Sequence, residues 1–379
     1  METENFLDVE VPMTADVFTP GLEGVVAFHT AIAEPDRDGG ALRYRGVDID
    51  DLVGTVGFED VWALLVDDAF GAKLPVDTSV PPFRSGDVRV DVQSALPLLA
   101  TQRGFRPLLD ITDEQARDQL AQTTAATLSY VARSARGDAP EVPESLLAGT
   151  TTIVERFLTA WLGDPSPEQV KAVEAYWVSA AEHGMNASTF TARVVASTGA
   201  DVPACVAGAI GSMSGPLHGG APARVLPMFQ AVEDSGDARA VVKGILDRKE
   251  RLMGFGHRVY RAEDPRARVL RRTCQELGAP RYEVAAALEE AALAELHERR
   301  PDRVLATNVE FWAAVILDFA GVPAAMMPAM FTCARTAGWS AHILEQKRLG
   351  KLVRPAALYN GEGSRPPASV AGWSSVTQG

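Results

Sequence analysis

The sequence predicts a mainly α, two-domain protein with one small N-terminal β-hairpin. Three observations carry that reading. The chain has 379 residues, which at about 100–200 residues per domain suggests two. Helical spacing of apolar residues takes over after residue 50 and persists toward the C-terminus. Strand-like alternation is clear only within residues 21–46.

Taken in order, GVVAFHTAIA (24–33) is expected to pair with ALRYRG (41–46) across a turn containing Asp38-Gly39-Gly40, with Pro35 just before it. Residues 74–96 are rich in Pro, Asp and Val, show no clear period and are the least legible part of the chain. Ser166-Pro167-Glu168-Gln169 supplies an N-cap hydroxyl, a proline at the first helical position and a capping-box glutamine. Val170, Val173, Trp177 and Ala180 follow at helical spacing, with Gly184 as the expected stop. A further helix is predicted over 187–198, ending at Gly199. Asp264-Pro265 opens another, with Val269, Leu270 and Leu277 on its apolar face and Gly278 closing it. Residues 324–349 predict a long buried helix, with Lys347 and Arg348 in its last turn and Gly350 after it.

Composition bounds the function. Apolar residues make up 46% and charged residues 23%, as in an ordinary globular protein. The formal net charge is −14, a mean field that repels phosphate, so neither nucleic acid nor an anionic membrane is an expected partner. An anionic substrate then needs a local group of arginines. Cys205, Cys274 and Cys333 fit neither zinc nor disulfide spacing and predict buried free thiols in a reducing compartment. The N-terminal METENFLDVE is acidic and lacks an apolar core, so no leader and a cytoplasmic location are expected. The most apolar stretch, 311–334, is broken by Asp318, Gly321, Pro323 and Pro328 and reads as core, not as a membrane span.

Of six histidines, two lie among glycines: His218 in SGPLHGG and His257 in MGFGH. Glycines let a backbone approach a ligand closely, so each loop is either an active-site segment or a turn with a surface histidine. His29 on the expected hairpin, His297 in LHERR and His342 beside Trp339 read as structural, solvated and core or interface residues. No histidine shows metal-ligand spacing, and no metal is predicted. Arg266 stands in the first turn of the helix that Pro265 starts. A guanidinium beside unpaired amides makes a carboxylate or phosphate pocket; the alternative is a solvated cation. Arg335 lies inside an apolar helix, where it needs an internal acid or an anionic ligand. Glu310 precedes FWAAVIL, as a general base with a raised pKa or as a helix-start charge beside Asn308.

These motifs together resemble the citrate synthase family, in its shorter bacterial and archaeal form. The residues that carry the resemblance are GLEGVVA, LRYRG, EHGMNASTFTARV (182–194), SGPLHGG (214–220), MGFGHRVY with DPRA (253–267), NVEF (308–311) and CARTAGWSAHILEQ ahead of LVRP. Order and spacing hold from about residue 21 to 356, weakly between about 72 and 150. The resemblance implies the two-domain fold of that family, with 1–218 plus 318–379 as a large domain and 219–317 as a small one. Gly215, Gly219 and Gly220 fall at that boundary as hinge candidates.

It also implies an acyltransferase that condenses acetyl-CoA with oxaloacetate, the CoA thioester being a substrate and no cofactor being required. His218 would hydrogen-bond the thioester oxygen, His257 would polarise the oxaloacetate carbonyl, and residue 310 would remove the methyl proton. His183, His257, Arg266 and Arg335 would hold oxaloacetate, joined by Arg354 from the partner subunit of a homodimer. Arg261, with Gly254, Phe255 and Gly256, would lie along the acyl-CoA. The sequence departs from the family pattern at Glu310, where the base is usually Asp, at Ala221-Pro222-Ala223, at Thr307 and at Trp312. One extra methylene moves a carboxylate by roughly 1 Å, which can cost about a hundredfold in rate unless the backbone compensates. Two alternatives therefore stand beside citrate synthesis: a 2-methylcitrate synthase using propionyl-CoA, and a binding paralogue with little turnover.

Overall fold

The computed structural model describes residues 18–36, 38, 40–215, 218, 222–256, 260, 263–301 and 305–377. Residues 18–31 belong to a separate unit whose one regular element is a short 3-10 turn, Pro20–Leu22. The unit from Ile32 onward carries a small antiparallel sheet in the order β1 (Ala33–Asp36), β2 (Ala41–Tyr44), β3 (Val47–Asp48). Everything else regular in it is helical.

The hairpin is shorter than the alternation suggests. Ala33 pairs with Tyr44 and Asp36 with Ala41, so residues 24–31 are not in the sheet. Arg45 and Gly46 both take positive φ and turn the chain after Tyr44, which ends β2. Pro35 is tolerated because β1 is an edge strand, with no ladder on one side.

Helices of ten residues or more are α1 (Phe58–Asp67), α2 (Val88–Gln102), α3 (Asp113–Ala135), α4 (Ile153–Leu162), α5 (Pro167–Ala180), α6 (Ala187–Ser197), α7 (Val202–Met213), α8 (Leu226–Ser235), α9 (Ala238–Asp247), α10 (Pro265–Glu276), α11 (Tyr282–Arg299), α12 (Val309–Phe319) and α13 (Met327–Leu349). The capping box opens α5: Ser166 Oγ accepts from Gln169 N and Gln169 Oε1 accepts from Ser166 N. The helix stops at Ala180, four residues before Gly184. The segment 324–326 is a 3-10 turn, and α13 proper begins with Pro328 in its first turn. A helix begins within 74–96, the stretch that shows no clear period. Asp87 accepts from Val90 N and starts α2, whose Val-Arg-Val-Asp-Val alternation and internal Pro97 disguise its period.

Helix α13 is the centre of the packing, in contact with α1, α3, α5, α6 and α7. Helix α5 is equally connected to the site, since α10, α12 and α13 all pack on it. The three cysteines are buried free thiols, pushed up by burial. Among the described residues no helix is long and apolar enough to cross a membrane.

Candidate active site

The end of α5 organises the site. A helix C-terminus leaves its last carbonyls without intrahelical partners. Here Tyr44 Oη contacts the Val178, Ser179 and Glu182 carbonyls at 3.1–3.2 Å, and Arg335 Nε donates to Ala180 O at 3.0 Å. His183 follows immediately, half-buried, with Nε2 3.0 Å from Tyr260 Oη and the rings edge-on at 5.3 Å.

Arg335 is 1% exposed and makes no ion pair among the described residues. Its guanidinium lies over the Phe331 ring at 4.8 Å. Burial lowers its pKa, opposed by the field of Glu182 and reinforced by that of Arg266. Of the two options the sequence left open, the nearby acid exists but stops short of a salt bridge, and a cationic surface remains.

Arg266 is paired. Its Nε donates to Asp264 Oδ1 at 3.0 Å and its Nη2 to Asp264 Oδ2 at 2.8 Å. Asp264 Oδ1 also accepts the Arg266 backbone N–H at 3.0 Å. The first-turn amide expected to help form an anion pocket is thus capped, because an N-cap carboxylate satisfies it. Burial works against the Arg266 charge, and Asp264 more than restores it, so the guanidinium is held above its ordinary range.

Glu310 stands in the first turn of α12, where Asn308 Oδ1 accepts its backbone N–H at 3.0 Å. Its own carboxylate has no hydrogen-bond or ion-pair partner among the described residues. Burial raises its pKa, while Arg251, Arg266 and Arg224 pull it back. An unpaired, partly desolvated carboxylate facing cations has the properties of a general base. Asp264 Oδ2 accepts Val309 N–H at 3.0 Å, which ties this helix start to Arg266.

The glycine-rich segment before residue 257 is zipped to the approach of α12. Asn308 N donates to Gly254 O and Asn308 Nδ2 to Gly256 O, both at 2.9 Å, while Gly256 N donates to Ala306 O at 2.8 Å. Gly254 has φ +84°, and a Cβ there would come within 2.9 Å of Phe311 Cβ. The Phe255 side chain is buried against Phe311.

His218 Nε2 lies 2.9 Å from Ser188 Oγ, which also contacts Asn186 Oδ1 at 2.9 Å and Trp339 Nε1 at 3.2 Å. Burial, then the charge of Arg335, hold the imidazole down to about 4, so it is neutral at neutral pH. Phe331 touches both groups, with its ring 6.2 Å from that of His218.

Thus His183, Arg266, Arg335, His218 and Glu310 form one cluster linked by contact or field. Arg354 stands exposed, its segment anchored by Val353 N to Ser197 Oγ at 3.1 Å and by Gln346 Nε2 to Lys351 O at 2.8 Å. His257 and Arg261 lie outside the described residues. Trp312 is buried, with Nε1 donating to Glu289 at 3.0 Å. His342, expected in a core or interface, is a fully buried core residue, and His297 is exposed. Sequence reasoning missed Tyr260, Ser188 and Glu182, none of which carries a local signal. It also missed the counter-ion role of Asp264, which the Asp-x-Arg spacing at the helix start could have suggested. Among the described residues no cluster of His, Cys, Asp and Glu is arranged to hold a metal.

Comparison with known proteins gives the family. The family described as "Citrate synthase, C-terminal domain" matches residues 21–356. A Mycobacterium tuberculosis protein named "Putative citrate synthase 2" is 69% identical over 362 residues, covering 95% of this chain and 97% of its own. A Shewanella oneidensis protein named "2-methylcitrate synthase" is 33% identical over 382 residues, covering 93% and 97%. In fold, the chain is similar to the citrate synthase of Thermoplasma acidophilum, solved as a ternary complex with carboxymethyl coenzyme A and oxaloacetate. That likeness has a TM-score of 0.78 at 24% identity, covering 93% of this chain and 98% of that one. The chain belongs to the citrate synthase family.

Proposed function

We propose that this protein condenses acetyl-CoA with oxaloacetate and water to give citrate and CoA. One observation supports the reading above others: an unpaired, desolvated carboxylate, Glu310, shares a cluster with two buried arginines and a neutral histidine. Such a set fits a dianionic acceptor beside a carbon acid that must lose a proton. Arg266, Arg335 and His183 would hold the oxaloacetate carboxylates, with Arg354 supplied by the partner subunit of a homodimer. His257 would polarise the ketone, and Arg261 would meet the CoA phosphates beside the 254–256 loop.

Proton removal by Glu310 turns the thioester into an enol or enolate, and His218 meets the developing charge on its oxygen. Ser188 has one hydroxyl proton. Here that proton goes to Asn186 Oδ1, so Ser188 Oγ accepts from the neutral ring's Nε2–H; turning the hydroxyl toward Nε2 when the acyl-CoA binds would leave the ring proton on Nδ1, to be donated to that oxygen. The enol carbon attacks the ketone, and water then hydrolyses the citryl thioester. Preorganised donors and cations in a site closed to water make this charge separation affordable. Closure would come from movement of residues 219–317 against the rest, about glycines near position 215.

The second reading, 2-methylcitrate synthesis from propionyl-CoA, draws on the Shewanella oneidensis relative. One methylene in an apolar pocket shifts preference by only about 1–3 kcal/mol. Thiol release with oxaloacetate, comparing acetyl-CoA and propionyl-CoA at matched concentrations, separates the two. Faster acetyl-CoA turnover supports the first reading and faster propionyl-CoA turnover the second. A folded protein that binds oxaloacetate and releases thiol from neither would be the binding paralogue.

A further inference from the structure

Along the helix beyond Arg335 lies a buried polar chain that the condensation chemistry does not use. Arg335, Gly338, His342 and Gln346 follow one another at helical spacing along one face of α13. Facing them are the residues after α5 and the Arg193 side chain of α6.

Glu182 is fully buried, and neither carboxylate oxygen makes a well-aligned hydrogen bond among the described residues. A lone buried carboxylate is costly unless cations or donors compensate it. Burial raises the Glu182 pKa, yet the His342 ring beside it and the charge of Arg335 bring it below the ordinary carboxylate range, so it is an anion. His342 Nε2 lies 3.3 Å from Glu182 Oε1. Its Nδ1 is 3.0 Å from Arg193 Nη1. A guanidinium only donates, so Nδ1 accepts and the ring proton sits on Nε2, toward Glu182. Arg193 is itself balanced by Glu345 at 2.5 Å. That leaves the Glu182 charge for Arg335.

Gly338 shows how closely the carboxylate is fitted. Its N–H donates to Ala181 O at 3.1 Å. A Cβ at this position would overlap Glu182 Oε2 and come within 2.6 Å of Ala181 O. Glycine in mid-helix is less favourable than alanine; here it makes room for an anion one turn from Arg335.

We propose that Glu182, seated against Gly338 and oriented by His342, is a positioning residue for Arg335: a resident counter-charge that keeps the guanidinium charged and aimed before the dicarboxylate arrives. This rests on the reading of Arg335 as an oxaloacetate ligand.

The test measures oxaloacetate dissociation constants by calorimetry and acyl-CoA KM by thiol release, on the full chain. Glu182→Gln is expected to weaken oxaloacetate about tenfold, or roughly 1.4 kcal/mol, with acyl-CoA KM unchanged. His342→Gln can accept from Arg193 and donate to Glu182, so it should stay near wild type. His342→Leu fills the space but does neither, and should resemble Glu182→Gln. Arg335→Gln is the control. If it weakens oxaloacetate while Glu182→Gln does not, the proposal is overturned. If Arg335→Gln itself has no effect, the reading of Arg335 fails and the proposal falls with it. Should Glu182→Gln not fold, the pair at 342 decides: equal affinities for Gln and Leu overturn the proposal, and a gap in favour of Gln sustains it.

Discussion

Asp264 holds Arg266 through both carboxylate oxygens, at 3.0 Å to Nε and 2.8 Å to Nη2, and the second oxygen also accepts Val309 N–H at 3.0 Å. One carboxylate therefore fixes a buried cation and the helix start that carries Glu310. Misplacement by about 1 Å can cost a hundredfold in rate, so on the proposed roles of Arg266 and Glu310 a shared anchor is a direct way to preserve their spacing.

Asp264→Ala leaves the buried Arg266 charge uncompensated and should destabilise the protein by about 3–5 kcal/mol. Urea unfolding measures this. A loss under about 1 kcal/mol would mean that solvent or another group takes over the guanidinium.

Glu310→Gln should abolish thiol release while leaving oxaloacetate affinity close to wild type. Its effect on stability has a predicted sign. The folded pKa of Glu310 is raised above the ordinary value of 4.5. Wild type therefore loses stability as pH rises from about 4.5 through that raised pKa. The Gln variant escapes this, so its melting temperature should exceed that of wild type at pH 8 and the gap should close toward pH 4. A constant gap would contradict the burial assigned to this carboxylate.

His218 works in the opposite sense. Its folded pKa is held near 4 against an ordinary 6.5. Protonation then favours the unfolded chain, so the contribution of neutral His218 is complete above about pH 6.5 and is lost as pH falls toward 4. His218→Gln should flatten that part of the stability curve and slow condensation more than it weakens oxaloacetate binding. An unchanged slope between pH 6.5 and 4 would remove the desolvated, neutral histidine from the mechanism.

Arg354→Ala should be complemented in mixed dimers by a subunit carrying Glu310→Gln, because each inactive parent would lend its intact group to one shared site. Purified mixed dimers with no activity would show that Arg354 serves its own subunit or none.

Much of the site was readable residue by residue. Arg335 announced itself as a charge inside an apolar helix, and Glu310 as a carboxylate ahead of an apolar run. Both have the expected burial. Arg266 was singled out for a partly wrong reason: its helix-start amide is capped by Asp264, not left open. The hairpin was placed too early because alternation records which faces could be buried, not which segment joins the sheet. Helix α2 was overlooked because Pro97 and a run of alternating valines mask a 3.6-residue period.

What the sequence determined by itself was local: helix starts from hydroxyl, carboxylate and proline spacing, a mainly helical fold, an anionic chain with few buried cations, and a family resemblance carried by short ordered motifs. Which groups meet was decided only by the tertiary structure. Tyr260 on His183, Ser188 under His218, Asp264 across Arg266 and Val309, and Glu182 behind Arg335 join residues as far apart as 182 and 335. Burial makes those meetings matter, since a charge or imidazole removed from water answers to the few groups packed against it. No local pattern encodes that neighbourhood, because it exists only once α5, α10, α12 and α13 have packed together.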